Sequence, residues 1–294
     1  MATITNTTTN AVHMPAASRN ALQATDTSGD KVQQSGQDVQ LQMIPSPPVF
    51  ANKFEEREYL KGRLALAFRL FGQLGFDEGV AGHITLRDPV RPDHFWVNPL
   101  GRAFRQMRRS DLILVNGQGD VVDGGANRLL NGAAYMIHHA VHAARPDVRC
   151  AAHAHSLFGR AFCALGKPLD MLTQDSCAFY KSAAVYNQFN GVVLARDEGA
   201  NIARALGAGK ACLLQNHGLL TVGATVEAAV FWFASLEKCC RVQLLADAAG
   251  PTKKIDEADA EFTFRSVGTP GVGWFSAQPM FDVLEEEIGD VYLQ

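Results

Sequence analysis

The chain has 294 residues, 47% of them hydrophobic, and a formal net charge of −3, so it is long enough to bury a substantial core. Positive and negative charges nearly balance and the sequence has no run of basic residues, so it lacks the basic surface that is typical of a nucleic-acid-binding protein. No apolar run is long enough to cross a bilayer, and we expect a soluble, cytoplasmic protein.

The first segment is polar. Residues 1–48 are rich in Thr, Asn, Ser and Gln and have few large apolar side chains. Such a composition cannot bury enough surface to offset the entropy of ordering the chain. We therefore predict a disordered tail over 1–48 and a folded domain over 49–250.

Helical and strand patterns alternate along the predicted domain. We expect folding to start near Lys53, and from there Leu60, Leu64, Phe68 and Phe71 recur at helical spacing, which predicts a helix that ends near Gly75. Further helices are predicted at 129–144, 157–165, 198–206 and 225–249. Strands are predicted at 83–86, 94–98, 112–116, 120–123, 149–155, 192–194, 210–215 and 219–222. Helices around a mixed, largely antiparallel sheet make a three-layer α/β/α domain.

The last segment, 251–294, is interrupted by proline and glycine, including Pro270, Gly271 and Pro279. We predict an irregular C-terminal extension. Aromatic side chains in such a segment usually pack on the core or on a neighbouring subunit. Those present are Phe262, Phe264, Trp274, Phe275 and Phe281.

Three histidines follow apolar strands. His153 and His155 lie two apart at the end of a predicted strand, so their side chains project to the same side. His217 follows another apolar strand, and Gly218 permits a sharp turn there. Three neutral imidazoles can hold Zn²⁺ tetrahedrally and leave a fourth position for water or substrate. Taken alone, this short motif is more typical of an ordinary exposed strand end followed by a turn than of a metal site.

Cysteine offers no competing metal site. The six cysteines form no CxxC motif, the spacing that would indicate a zinc ribbon. We expect them to be buried thiols that pack as small hydrophobic side chains.

Seven short motifs follow one another along residues 58–250. They are AGHIT (81–85), NPLG (98–101), DL (111–112), GDVV (119–122), ARPDV (144–148), HAH (153–155) and NHGL (216–219). In this order they resemble the class II aldolase/adducin family. The resemblance implies one divalent metal, Zn preferred and Fe possible, on His153, His155 and His217. It also implies a homotetramer with active sites between subunits.

The chain departs from the sugar-phosphate enzymes of that family. Their catalytic acid lies on the helix before the ARPDV turn, where this chain has Ala134. Their phosphate loops are replaced by Gly82 and His83 with Thr85, and by an LG pair at 100–101. We therefore expect a non-phosphorylated substrate. The segment LTQDSCAFY (172–180) resembles a fungal and bacterial subgroup related to aminocoumarin-pathway non-haem iron oxygenases.

Three functional hypotheses follow from the resemblance. The first is a metal-dependent lyase that breaks a carbon–carbon bond next to a carbonyl of a small oxo or hydroxy acid. The metal would polarise the substrate oxygen and stabilise an enolate, with proton transfer by metal-bound water, His83 or Tyr180. The second is a non-haem iron oxygenase on a 2-oxo or 2-hydroxy acid. The third is a non-catalytic, adducin-like interaction module.

Three more histidines lie on the predicted helix that precedes the strand with His153 and His155. His138 matches a histidine of the family, and we expect an outer-shell or structural role for it. For His139 and His142 we expect solvated positions on the helix surface, as is usual for histidine there.

Overall fold

A mixed eight-stranded sheet organises the chain in the computed structural model, which describes residues 45–189, 191 and 196–294. Its strands are β1 (His83–Arg87), β2 (Phe95–Val97), β3 (Ile113–Val115), β4 (Val121–Gly124), β5 (Cys150–Ala154), β6 (Ala183–Tyr186), β7 (Ala211–Leu214) and β8 (Gly218–Gly223). They are ordered β4-β3-β2-β1-β5-β8-β7-β6. The pairs are antiparallel except β6 with β7, which are parallel. The prediction of a mixed, largely antiparallel sheet is confirmed.

Helices cover both faces of this sheet. They are α1 (Lys53–Gln73), α2 (Gly132–Ala144), α3 (Leu157–Cys163), α4 (Arg196–Leu206), α5 (Val226–Ala249), α6 (Glu257–Val267) and α7 (Pro270–Ile288). The larger apolar core joins one face of the sheet to α1, α3, α5 and α7. A smaller core joins the other face to α2 and α4. The three-layer α/β/α arrangement is therefore as predicted.

Strand alternation decides which face carries the histidines. On β5, Ala152 packs into the larger core and Ala151 into the smaller one. Residues two apart share a face, so His153 follows Ala151 to the side of α2 and α4. The register across β1 and β5 pairs His83 with His153. Both histidines therefore project from the same face of the sheet.

The first helix starts earlier than its apolar pattern indicates. The side chain of Asn52 accepts a hydrogen bond from the Phe54 amide, which caps α1 at its N-terminus. Within α1, the buried Arg63 guanidinium donates to Glu227 of α5 at 2.6 Å. This buried ion pair ties the first helix to the fifth.

The prediction of an irregular C-terminal extension is wrong. Asp256 and Thr269 each cap a helix through a side-chain oxygen, so α6 and α7 form in succession. Pro270 occupies the first helical turn of α7, where its missing N–H costs nothing. Phe281 of α7 is fully buried, and the Arg63 guanidinium lies 4.5 Å from its ring centroid. The extension packs on the core of its own chain.

Other predictions concern single segments. The short strand β6 was not expected, whereas the strand predicted at 192–194 lies outside the described residues, as does nearly all of the tail predicted at 1–48.

All six cysteines are free and buried, as predicted. Among the described residues, no helix combines the length and hydropathy that crossing a membrane requires. Residues 49–294 form one compact unit.

Candidate functional site

The three histidines meet at one edge of the sheet. The end of β5 and the start of β8 lie side by side because the two strands are antiparallel. His217 lies in the tight turn between β7 and β8, in which Asn216 has a φ of 57°, a conformation that Asn tolerates better than most residues. A Cβ on Gly218 would lie 2.7 Å from the Ala154 carbonyl oxygen, so only glycine allows this close approach.

His153, His155 and His217 form a compact group. Their ring centroids are 5.1, 4.7 and 4.8 Å apart, and one nitrogen from each ring lies within 4.8 Å of the others. Tetrahedral Zn²⁺ with Zn–N bonds near 2.0–2.1 Å requires nitrogens about 3.4 Å apart. The nitrogens would therefore have to approach one another by up to about 1.4 Å to hold such an ion.

A backbone carbonyl orients one of these rings. His153 Nδ1 lies 2.9 Å from the carbonyl oxygen of Leu219. A carbonyl can only accept, so Nδ1 carries the proton and Nε2 keeps its lone pair. Metal-binding histidines usually make this second hydrogen bond. His153 is buried, whereas His155 and His217 are half-buried, so the group is accessible from one side.

Burial also sets the protonation state of the group. Desolvation lowers the pKa of His153 well below its ordinary value, lowers that of His155, and lowers that of His217 to about 4. The neighbouring imidazoles add to the effect on His153 and His217, while the negative charge of Glu198 opposes it at His217. All three rings are therefore neutral at pH 7, which is the state that binds metal.

His83 lies beside the group with its hydrogen-bonding capacity unused. Its ring centroid is 4.9 Å from that of His153 and 4.5 Å from that of His138. Both ring nitrogens of His83 and Nε2 of His138 are buried without a hydrogen-bond partner among the described residues. Buried nitrogens are ordinarily satisfied, so these atoms are suited to bind a polar group of a ligand.

The buried hydroxyl of Thr85 contacts two histidine rings of α2 next to His83. Thr85 Oγ1 lies 2.6 Å from His138 Nδ1 and 2.8 Å from His142 Nε2. A hydroxyl can donate one hydrogen bond and accept others, so it pairs with both ring nitrogens, and the tautomers of the rings decide which atom donates. Arg87 donates to the His142 carbonyl oxygen at 2.6 Å. The expectation that His142 is solvated is wrong, because it is 5% exposed, while His139 is half-buried against Tyr135.

Tyr180 lies at the other end of the sheet. The parallel pairing of β6 and β7 places Ala183 beside Ala211, and Tyr186 beside Leu214. Tyr180 precedes β6, whereas His217 follows β7, so the two residues lie at opposite ends of these paired strands. Four strand residues at ~3.3 Å each separate them by at least ~13 Å. The buried Tyr180 hydroxyl has no hydrogen-bond partner among the described residues, and the Tyr180 side chain lines a separate cavity of about 470 Å³. Within one chain, Tyr180 therefore does not join the histidines.

One acidic side chain near the three histidines, Glu198, was not identified as a candidate from the sequence. The Tyr186 hydroxyl donates to Glu198 Oε1 of α4 at 2.9 Å. A Cβ on Gly199 would lie 2.3 Å from the Met136 carbonyl oxygen, so α4 packs tightly on the N-terminal half of α2. The position of Ala134 also lies on that half of α2. No local motif marks Glu198, since its neighbours come from distant segments.

Comparisons with known proteins agree on one family. Residues 62–244 match the model for the class II aldolase and adducin N-terminal domain. Decarboxylase NovR of Streptomyces niveus is 48% identical over 238 residues, 80% of this chain and 87% of that protein. A Streptomyces roseochromogenus subsp. oscitans protein named 4-hydroxy-3-prenylphenylpyruvate oxygenase/4-hydroxy-3-prenylbenzoate synthase is 47% identical, covering 80% and 85%. The solved structure of an L-fuculose 1-phosphate aldolase from Glaciozyma antarctica PI12 superposes with a TM-score of 0.79, at 52% identity over 84% of this chain and 96% of that one.

Proposed function

The chain belongs to the class II aldolase and adducin family, and from that premise we propose that it is a metal-dependent lyase. The reaction breaks a carbon–carbon bond next to a carbonyl in a small, non-phosphorylated oxo or hydroxy acid. The observation that carries this proposal is the group of three neutral imidazoles at one sheet edge, accessible from one side.

The residues present fit a divalent ion. His153, His155 and His217 would hold it, and the Leu219 carbonyl already selects the tautomer of His153 that leaves Nε2 available. Three imidazoles suit Zn²⁺, and Fe²⁺ is compatible with the same donors. When bound, the ion supplies Lewis acidity that draws electron density from a carbonyl oxygen next to the bond that breaks.

The chain's own side chains supply substrate binding and proton transfer. His83 can donate a hydrogen bond to a substrate oxygen, because neither of its buried nitrogens has a partner among the described residues. For proton transfer we propose His83 or Glu198, whose carboxylate is held by Tyr186. Tyr180 is too far along the sheet to act on the same substrate from within one chain.

The substrate class rests on two observations. Thr85 and His83 stand where the sugar-phosphate enzymes have a phosphate loop, and the Thr85 hydroxyl is engaged by His138 and His142. Buried, neutral imidazoles offer a dianionic phosphate no positive charge. The relative named for 4-hydroxy-3-prenylphenylpyruvate acts on a compound whose name denotes a 2-oxo acid. We propose that this chain also takes a 2-oxo or 2-hydroxy acid.

A second candidate is an iron-dependent oxygenase on the same class of acid. The printed name of the 47% identical relative favours it. Iron oxygenases commonly use two histidines and a carboxylate, whereas the group of possible ligands found among the described residues consists of three histidines. A non-catalytic, adducin-like module is disfavoured by the retention of all three.

An assay run both under argon and in air separates these candidates. The zinc-loaded and iron-loaded proteins would each be incubated with 4-hydroxyphenylpyruvate and with a 4-hydroxy-2-oxo acid, with products followed by mass spectrometry. The proposal predicts cleavage under argon, lost in the double variant His153→Ala with His155→Ala. Turnover that requires one O₂ per substrate would establish the oxygenase instead. Cleavage of L-fuculose 1-phosphate alone would overturn the proposed substrate class.

We further propose a homotetramer in the cytoplasm. Phe262 and Phe275 remain 49% and 42% exposed on α6 and α7, although Phe281 and Trp274 are buried within the chain. Symmetric assembly is the common way to cover such side chains. Six free thiols are consistent with a reducing compartment. Light scattering that gives a monomer mass at micromolar protein would refute the tetramer.

A further inference from the structure

A buried carboxylate from α5 receives three hydrogen bonds from the segment that follows His155. Glu237 is 7% exposed. Its Oε2 accepts from Ser156 Oγ at 2.5 Å and from the Gly159 amide at 2.6 Å, while its Oε1 accepts from the Phe158 amide at 2.8 Å. These contacts join residues nearly eighty positions apart in sequence. A carboxylate so surrounded by donors is fixed in place.

These bonds replace the usual cap of α3. Ser156 is the N-cap residue of this helix, but its side chain makes no capping hydrogen bond and donates to Glu237 instead. The first amides of a helix have no partner within the helix, and Glu237 supplies one for two of them. A helix of seven residues is too short to be stable by itself. Its start therefore depends on the carboxylate from α5.

Helix α3 touches the segments of all three histidines. It begins directly after His155. Cys163 at its end donates from Sγ to the carbonyl oxygen of Gly218 and accepts at its own carbonyl from the Asn216 amide, and these two residues flank His217. A Cβ on Gly159 would lie 2.6 Å from the side chain of Leu219, the residue whose carbonyl orients His153.

We propose that Glu237 is a positioning residue for the three-histidine site. It fixes the start of α3, and α3 in turn fixes the backbone on which His155, His217 and the carbonyl partner of His153 are placed. The inference rests on the proposed metal-binding function of the histidines. It assigns to Glu237 no contact with metal or substrate.

The test compares two buried glutamates of the same helix. Glu237→Gln keeps the size of the side chain but places an amide that donates where an acceptor is needed. Glu227 is also buried and pairs with Arg63, and ten residues of helix separate it from Glu237 by about 15 Å. Glu227→Gln therefore serves as the matched control, because it also disturbs a buried carboxylate of α5.

The measurement is the affinity for Co²⁺, by competition with a chelator, together with the visible absorption of the bound Co²⁺. A group bonded directly to a metal ligand typically contributes 10–100-fold in affinity. Because Glu237 acts on the ligands through the backbone of α3, we expect the lower end of that range, about tenfold, for Glu237→Gln, with an altered spectrum. Glu227→Gln should keep wild-type affinity and spectrum even if its unfolding midpoint falls. Glu237→Asp, which keeps the charge but shortens the reach, should resemble Glu237→Gln.

Wild-type affinity and spectrum in Glu237→Gln would overturn the inference, as would an equal loss of affinity in Glu227→Gln. If Glu237→Gln does not fold, Ser156→Ala removes one of the three hydrogen bonds and should still weaken Co²⁺ binding several-fold, and wild-type binding there would also refute the idea. A wild-type chain that binds no Co²⁺ would contradict the proposed function itself. The two failures are therefore distinguishable.

Discussion

Replacing Thr85 by valine tests the buried polar contacts behind the histidine group. Valine has nearly the shape of threonine but no hydroxyl, and Thr85 is fully buried. The substitution removes the partner of His138 Nδ1 and of His142 Nε2 together, since the hydroxyl lies 2.6 and 2.8 Å from these atoms. Both ring nitrogens would lose their hydrogen-bond partner. We expect a clear loss of stability without a change in volume.

The expected magnitude follows from the number of nitrogens left unpaired. A buried polar atom that loses its partner costs about 1–3 kcal/mol. Two such atoms, partly offset by the added apolar group, give a loss of about 2–4 kcal/mol. A chain of this length loses about 2–4 °C per kcal/mol, so the melting temperature should fall by roughly 5–15 °C.

Thr221→Val is the matched control. Thr221 is equally buried, and its hydroxyl donates at 2.9 Å to the Ala229 carbonyl of α5. That carbonyl keeps its helical hydrogen bond, so the control should lose only about 1 kcal/mol. Urea unfolding followed by tryptophan fluorescence measures both variants. Equal losses within about 0.5 kcal/mol would refute the reasoning that Thr85 satisfies two rings.

Three further predictions concern acid, packing and proton transfer. Burial lowers the pKa of His142 from 6.5 to about 3, so this residue's contribution to stability is complete above pH 6.5 and falls by at most about 1.4 kcal/mol per pH unit toward pH 3. His142→Gln should therefore remove about one proton from the pH dependence of the urea midpoint, and an unchanged dependence would contradict it. Phe281→Ala should cost about 3–5 kcal/mol in the same assay, whereas Val49→Ala, at a residue that is 96% exposed, should stay within about 0.5 kcal/mol. Glu198→Gln should keep the metal content and lower turnover about 100-fold or more; full turnover would exclude Glu198 from proton transfer.

Sequence patterns predicted the layers of the fold because those patterns are local. Apolar residues at helical spacing located α1 and α5, and short β-rich runs between turns located most strands. Strand β6 was missed because its four residues lack a clear alternation or flanking turn signals. The C-terminal helices depart from the prediction because proline and glycine in this segment suggest an interrupted chain, whereas Asp256 and Thr269 cap two helices and Pro270 in the first turn of the second favours it.

The site could be predicted only in part. The HxH pattern and the NHG turn placed three histidines at strand ends, where the structure brings them together. Thr85, His138 and His142 meet only after β1 packs against α2. Likewise, Glu237 reaches Ser156 from a helix about eighty residues later. Contacts between distant segments leave no local pattern, so the supporting contacts of Thr85, His142 and Glu237 were not identified from the sequence. A structural role for His138 was expected only through the family resemblance.

The measurement closest to the central claim is the metal content of the purified chain. Elemental analysis of protein prepared without added ions should give one divalent ion per chain. The double variant His153→Ala with His155→Ala should give none, while His139→Ala, half-buried on α2 outside the group, should match wild type. A double variant that retains one ion per chain, with its fold confirmed by circular dichroism, would contradict the assignment of the three-histidine group as the metal site.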